Sequence, residues 1–113
     1  MSENAAQLAH VGNDDFETEV VASDLPVVVD FYAPWCAPCK MLAPVLEKVA
    51  VRYEGRVKVV KCDSDRDVQI SESYGVGKIP NLMFFKDGEV VNQYVGYANE
   101  AQLSQMFDAL LDA

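Results

Sequence analysis

Apolar residues follow two different patterns along the middle of the chain, a continuous run and a helical repeat. Residues 27–32 form a β-branched and aromatic run that is apolar on both faces except for Asp30, as in a strand buried on both sides of a sheet. Beyond this run, apolar residues recur three and four positions apart up to Gly55, which predicts a helix. These residues are Met41, Leu42, Val45, Leu46, Val49 and Tyr53. Residues 57–62 predict a second buried strand, so the three elements form a right-handed βαβ unit with parallel strands.

The second half of the chain predicts a short helix and then a hairpin. Residues 67–74 have the pattern of a short helix that ends at Gly75. Residues 82–86 and 89–95 are two strand-like runs, and the Asp87-Gly88 dipeptide between them is a strong signal for a tight antiparallel turn. The sheet is therefore predicted to be mixed, with an antiparallel pair after the parallel one.

Polar capping patterns mark a helix near each end of the chain. Asn13 or Asp14 can cap the first helix, and Glu17 completes a capping box with Asp14. The apolar face of this helix comprises Phe16, Val20 and Val21. Asn99 with Gln102 opens the last helix in the same way. Its apolar face comprises Leu103, Met106, Phe107, Leu110 and Leu111.

These elements together predict an α/β fold. Its centre is a mixed β-sheet, βαβ followed by ββα, flanked by helices and preceded by an additional N-terminal strand and helix. The additional strand is expected within residues 8–11, at a sheet edge. Residues 1–7 are small and polar and are predicted to be a disordered tail, whereas residues 8–113 are predicted to form one domain.

Composition and charge exclude some classes of binding partner. The chain has 113 residues, enough for one hydrophobic core, and its net charge of −9 repels phosphate backbones and anionic lipid surfaces. We therefore expect that the protein binds neither nucleic acid nor a membrane. We also expect it to be a monomer. Residues 1–7 contain no basic or long apolar segment, so a cytoplasmic location is expected. Three cysteines, an odd number, favour reactive or buried thiols over a structural disulfide framework.

The candidate chemistry lies in the sequence Cys36-Ala37-Pro38-Cys39, between a predicted strand and a predicted helix. The free N–H groups and the dipole of a helix N-terminus stabilise a thiolate, so Cys36 is a candidate nucleophile. Cys39 lies one turn further along, close enough to close a disulfide with Cys36. Pro38 fits the first turn, where its missing N–H loses no hydrogen bond. The pair predicts a redox-active Cys36-Cys39 disulfide.

Such a pair predicts two-electron exchange without a metal or another cofactor. Cys36 would attack a substrate disulfide, and Cys39 would then attack Cys36 to release the reduced substrate. Cys39 must lose a proton for this second step. Asp30, the acidic residue within the buried strand, is the candidate base, because burial raises the pKa of a carboxyl group.

The sequence resembles that of the thioredoxin family over roughly residues 8–112. The motifs that carry the resemblance are Asp-Phe-Tyr-Ala-Pro-Trp-Cys-Ala-Pro-Cys-Lys at residues 30–40, Ile79-Pro80 and Gly96. The resemblance implies the thioredoxin fold, protein disulfides as substrates and reduction by a flavin-dependent thioredoxin reductase. It also implies a cis peptide bond before Pro80, a catalytic Lys61 close to Asp30, and a flat apolar substrate-binding surface around Cys36. That surface would comprise Trp35, Ala37, Pro38, Ile79, Pro80 and Gly96.

Two positions depart from the common pattern of the family. Ala37 stands where the family commonly has Gly, and Asn81 stands where it commonly has Thr. Neither change removes a reacting atom. Both are expected to influence the reduction potential or the choice of partner, in a direction that the sequence does not give.

Simpler interpretations remain open for several of these residues. Cys36 and Cys39 could be half of a metal site shared between chains, although only Cys62 and His10 are left as further ligands of those types. Asp30 could be a structural acid paired with Lys61. Cys62 is predicted to be a buried apolar residue, with a regulatory or dimer-forming thiol as the alternative. Three further simple interpretations are Pro80 as a turn residue, Trp35 as a core residue and Gly96 as a bulge.

The leading function is a reductant of protein disulfides, and two alternatives stay open. One is a disulfide isomerase or oxidant, which the compartment expected from residues 1–7 disfavours. The other is a non-catalytic binding subunit, for which retention of both thiols would have no purpose.

Overall fold

A five-stranded mixed sheet forms the centre of the protein. The computed structural model describes residues 8–113, so the tail predicted at residues 1–7 lies outside the described residues. The strands are β1 (Ala9–His10), β2 (Val27–Tyr32), β3 (Lys58–Asp63), β4 (Asn81–Lys86) and β5 (Glu89–Val95). Their order in the sheet is β1-β3-β2-β4-β5; β1, β3 and β2 are parallel, while β4 is antiparallel to β2 and β5. The predicted mixed α/β fold is confirmed.

Among residues 8–113, three α-helices flank the sheet: α1 (Ala37–Arg52), α2 (Val68–Ser73) and α3 (Glu100–Asp112). Cys36 caps α1, and Asn99 forms the predicted capping box of α3 with Gln102. The predicted hairpin turn is also present, with φ of 53° at Asp87 and 82° at Gly88. Within the described residues, no helix is long and apolar enough to span a membrane.

The helix predicted near the N-terminus differs from the expectation. It is a five-residue π-helical segment, Glu17–Val21, and no side chain caps it, so the predicted capping box is wrong. The nearby polar side chains have other partners: Asp15 Oδ1 accepts from the backbone N–H of Gly12 at 2.8 Å, and Asn13 Oδ1 accepts from that of Ile70 at 3.1 Å. Contacts within the turn and with α2 therefore replace the cap. Two apolar residues of the predicted face, Phe16 and Val20, are buried.

Two apolar clusters cover the two faces of the sheet. Val28 belongs to the cluster formed with α1 and α3, which also contains Leu42, Leu46, Phe84, Leu103 and Phe107. Val27, Val29 and Phe31 belong to the cluster on the opposite face, together with Phe16, Cys62 and Phe85. Because side chains alternate along a strand, Asp30 projects from the same face of β2 as Val28. This carboxyl group therefore lies on the side of the sheet that α1 covers.

Candidate active site

Cys36 and Cys39 form a disulfide at the N-terminus of α1. Cys36 is the N-cap, with an extended backbone (φ −84°, ψ 113°), and its Cα lies 5.2 Å from that of Cys39. The Sγ atom of Cys36 accepts a hydrogen bond of 3.2 Å from the backbone N–H of Cys39. Pro38 occupies the first turn, where it removes no helical hydrogen bond. The fold therefore directs a helix N-terminus at the sulfur of Cys36.

This position gives the two sulfurs of the pair different environments. An N-cap sulfur that accepts a backbone hydrogen bond and lies at the positive end of a helix dipole is stabilised as a thiolate. Cys39 lies inside the first turn and packs with Cys36 and Ala33 in a small buried cluster. One sulfur of the pair therefore accepts a backbone hydrogen bond at the helix N-terminus, and the other lies within bonding reach of it.

The loop before β4 lies directly against Cys36. The Ile79-Pro80 peptide bond is cis, and the carbonyl oxygen of Ile79 lies 3.9 Å from Cys36 Sγ. The backbone N–H of Gly96 donates to the carbonyl oxygen of Pro80 at 2.8 Å, which ties the end of β5 to this loop. Gly96 has φ of 106°, a conformation that other residues rarely adopt. The loop at Ile79 therefore lies against Cys36, and the end of β5 is bonded to that loop.

An open groove runs beside the disulfide. Its lining residues are Trp35, Cys36, Ala37, Pro38, Gly77, Lys78 and Ile79. The side chain of Trp35 is 68% exposed, and its Nε1–H donates to Asp65 Oδ2 at 2.6 Å. Sequence reasoning missed Gly77 and Lys78, which adjacency to Ile79 could have suggested. It also missed Asp65, for which the sequence has no signal. The groove exposes apolar surface next to Cys36.

Asp30 is buried in the sheet without a polar partner. It is 1% exposed, and neither carboxylate oxygen accepts a hydrogen bond from any of residues 8–113. Burial raises the pKa of this carboxyl group to about 6, and the positive charge of Lys61 offsets part of that rise. A carboxyl group with this pKa changes its protonation state close to neutral pH.

Lys61 lies next to Asp30 in the sheet but does not pair with it. The two residues are register partners on β3 and β2. The Nζ atom of Lys61 lies 4.3 Å from the ring centroid of Tyr32, a cation–π contact. The Tyr32 hydroxyl is hydrogen-bonded to Nδ1 of His10 at 3.3 Å. The interpretation of Asp30 as an acid satisfied by Lys61 therefore does not match the contacts, and sequence reasoning missed both Tyr32 and His10.

Cys62 is separated from the disulfide by the sheet. It is a free thiol, fully buried in the cluster on the opposite face. Burial is the main reason that the pKa of this thiol is raised, to about 12, so little thiolate forms near neutral pH. Among residues 8–113, no three His, Cys, Asp or Glu side chains are grouped closely enough to hold a metal ion.

The chain is similar to known proteins over most of its length. The family model described as Thioredoxin matches residues 7–109. Thioredoxin 1 of Nostoc sp. is 47% identical over 100 residues, which are 88% of this chain and 94% of the relative. Thioredoxin of Haemophilus influenzae is 42% identical over 103 residues, 91% and 96% of the two chains. Thioredoxin of Porphyra purpurea is 44% identical over 96 residues, 85% and 90% of the two chains.

Proposed function

Because the chain belongs to the thioredoxin family, we propose that Cys36 is the nucleophile and Cys39 the resolving thiol of its reaction. The protein is a protein-disulfide oxidoreductase. The observation that carries the proposed roles is the hydrogen bond from the backbone N–H of Cys39 to Cys36 Sγ at the start of α1. That contact favours charge on one of the two sulfurs, so the two cysteines are not equivalent.

In the first step, the Cys36 thiolate attacks one sulfur of a substrate disulfide. A bond forms between Cys36 Sγ and that sulfur while the substrate S–S bond breaks, and the other substrate sulfur leaves as a thiolate that takes a proton from solvent. The product is a mixed disulfide. The open groove beside Cys36 supports this step, since it gives an incoming sulfur access to the helix N-terminus.

In the second step, Cys39 attacks Cys36 Sγ and releases the remaining substrate sulfur. The thiol of Cys39 must first lose its proton, for which we propose the Asp30 carboxylate as the acceptor. Asp30 projects from the face of β2 that α1 covers, and its raised pKa makes it a stronger base than an exposed carboxylate. The Cys36-Cys39 disulfide re-forms, so two electrons have moved from the protein to the substrate.

We assign substrate binding to the surface around Cys36. The proposed residues are Trp35, Ala37, Pro38, Ile79, Pro80 and Gly96. Four of them line the groove, while Pro80 and Gly96 hold the adjoining loop in place through their backbone hydrogen bond. An extended substrate segment beside Ile79 would find an apolar wall at Trp35, whose side chain is mostly exposed.

The reaction cycle needs a source of electrons, for which we propose a thioredoxin reductase that reduces the Cys36-Cys39 disulfide. A disulfide reductant works where thiols are kept reduced, so we propose a cytoplasmic location. We further propose that residues 8–113 act as one domain and as a monomer.

The two cysteine variants test the assignment of roles. Cys36→Ser should abolish reduction of a protein disulfide such as that of insulin, because no nucleophile remains. Cys39→Ser should instead accumulate mixed disulfides that thiol reagents release and mass spectrometry detects. Cys62→Ser is the matched control and should turn over like the parent protein. Normal turnover in the Cys36→Ser variant, or mixed disulfides trapped in it rather than in the Cys39→Ser variant, would contradict the proposal.

A further inference from the structure

Tyr32 shares one face of the sheet with the two charged residues beside the active site. It is the last residue of β2 and follows Asp30 by two positions, so both side chains project from the same face. Lys61 is the register partner of Asp30 on β3, and in a parallel pair its side chain projects from that face as well. The Lys61 ammonium group therefore has two partners in its neighbourhood, a carboxylate and an aromatic ring.

The contacts of Lys61 favour the ring. Its Nζ atom lies 4.3 Å from the centroid of the Tyr32 ring and forms neither a hydrogen bond nor an ion pair with Asp30. An ammonium group ordinarily binds a carboxylate more strongly than a ring, since the carboxylate has a full charge. Some structural feature must therefore keep Lys61 from pairing with the Asp30 carboxylate.

The Tyr32 ring is held in place from the edge of the sheet. Its hydroxyl is hydrogen-bonded to Nδ1 of His10 at 3.3 Å, and the two rings make an edge-to-face contact with centroids 5.8 Å apart. His10 is itself the register partner of Lys61, on the other side of β3 from β2. His10 on β1 therefore contacts, across β3, the ring over which the ammonium group lies.

We propose that Tyr32 is a positioning residue for thiol–disulfide exchange, whose ring holds the Lys61 ammonium group away from the Asp30 carboxylate. The carboxylate then stays unpaired and free to accept the proton of Cys39. The inference rests on the proposed proton transfer by Asp30 and names the residue that keeps that group available.

The electrostatic consequence follows from what an ion pair would do. A cation in contact with a carboxylate stabilises the ionised form and lowers the carboxyl pKa. Burial raises the pKa of Asp30 to about 6, and Lys61 at its observed position offsets only part of that rise. Direct contact would offset more, so Asp30 would become a weaker base at neutral pH.

The other neighbours of Asp30 and of the Tyr32–Lys61 pair leave Lys61 as the relevant cation. On β4 the register partner of Asp30 is the apolar Leu82. On α1, Cys39 and the positively charged Lys40 line one pocket together with Tyr32 and Lys61. His10 lies beyond Tyr32, on β1. Besides Asp30, the charged or titratable side chains that influence the pKa of Tyr32 are Cys62, Asp63 and Arg66. Within the described residues, Lys61 is the charged group that acts on the pKa of Asp30.

The test is a direct titration of the Asp30 carboxyl carbon by NMR in the oxidised protein. In the Tyr32→Leu variant the ring is lost, Lys61 can turn to Asp30, and the titration midpoint should fall by about one pH unit or more. Tyr32→Phe loses the hydroxyl but keeps the ring and its edge-to-face contact with His10, so its midpoint should stay near that of the parent protein. A midpoint that is unchanged in Tyr32→Leu, or lowered equally in Tyr32→Phe, would overturn the proposal.

The same substitution in a Lys61→Met background separates the ring from simple burial. Without the ammonium group, Tyr32→Leu should no longer lower the midpoint. If the fall were as large without Lys61, the ring would act by excluding water and the positioning role would be refuted. These titrations need neither substrate nor turnover, whereas mixed-disulfide trapping by Cys39→Ser tests the proposed function separately.

Discussion

At the scale of single residues, Asp30 couples the stability of the protein to pH. Its carboxyl group is buried without a hydrogen-bond partner, and its pKa is raised from 3.8 to about 6. Between these two values the folded protein binds more protons than the unfolded chain. The stability that this group contributes is therefore fully present below about pH 4 and is lost as the pH rises through about 6.

We predict that Asp30→Asn stabilises the oxidised protein at pH 8 and has little effect at pH 4. The raised pKa corresponds to roughly 3 kcal/mol, since one pKa unit is about 1.4 kcal/mol. The amide has the shape of the acid but never ionises, so the variant avoids the cost of the buried charge. Urea unfolding of both proteins across this pH range measures the difference.

Asp14→Asn is the matched control for that experiment, because it makes the same chemical change at an exposed position. It should alter the free energy of unfolding by no more than about 0.5 kcal/mol at either pH. An Asp30→Asn variant that is equally stable relative to the parent at pH 4 and pH 8 would show that the buried carboxyl group does not ionise in this range.

Among the helices, one predicted N-terminal cap is present in the structure and the other is not. The capping box of α3 was predictable because Asn99 and Gln102 bond to each other's backbone, 2.8 and 2.9 Å apart, within one turn. The capping pattern near Glu17 failed because the polar groups there have partners elsewhere, one of them on α2. A sequence pattern can therefore predict contacts within one helical turn, but not contacts with a segment that is distant in the sequence.

We predict that Asn99→Ala lowers the free energy of unfolding by about 1 kcal/mol, through loss of the cap. Thermal and urea unfolding measure the loss. Gln105→Ala, at an exposed position within the same helix, is the control and should change the stability by less than about 0.5 kcal/mol. Equal effects of the two substitutions would mean that the cap contributes nothing beyond helix propensity.

The candidate site shows the same division between local and distant contacts. The position of Cys36 at the start of α1 was predictable, because a strand pattern ends and a helix pattern begins around it. The contact of Lys61 with Tyr32 was not predictable from periodicity, since it depends on which strands are neighbours and on the rotamer of a long side chain. The resemblance to a family implied that Lys61 lies close to Asp30, but it did not predict the contact of Lys61 with Tyr32.

At the scale of the whole molecule, the reduction potential decides the direction in which electrons move. It reports the relative stability of the oxidised and reduced proteins. We predict a potential for the Cys36-Cys39 pair that is more negative than about −240 mV, as a reductant of protein disulfides requires.

Thiol labelling across a series of dithiothreitol redox buffers measures this potential, with Cys62→Ser used to leave a single pair of thiols. A value near about −180 mV would indicate an oxidant or isomerase instead. The Ala37→Gly variant, measured alongside, shows how far this departure from the common family pattern contributes to the potential.

The candidate site joins chain segments that are distant in sequence, and this order has a consequence during synthesis. Cys36 and Cys39 are made before Pro80 and Gly96, and the sheet cannot be completed until β4 takes its place beside β2. At ordinary rates of translation, the nascent chain therefore carries its two thiols for on the order of seconds without the surface that would select a substrate. During that interval the ribosome-bound chain lacks the proposed substrate surface, and we expect selectivity to begin only when the C-terminal half emerges.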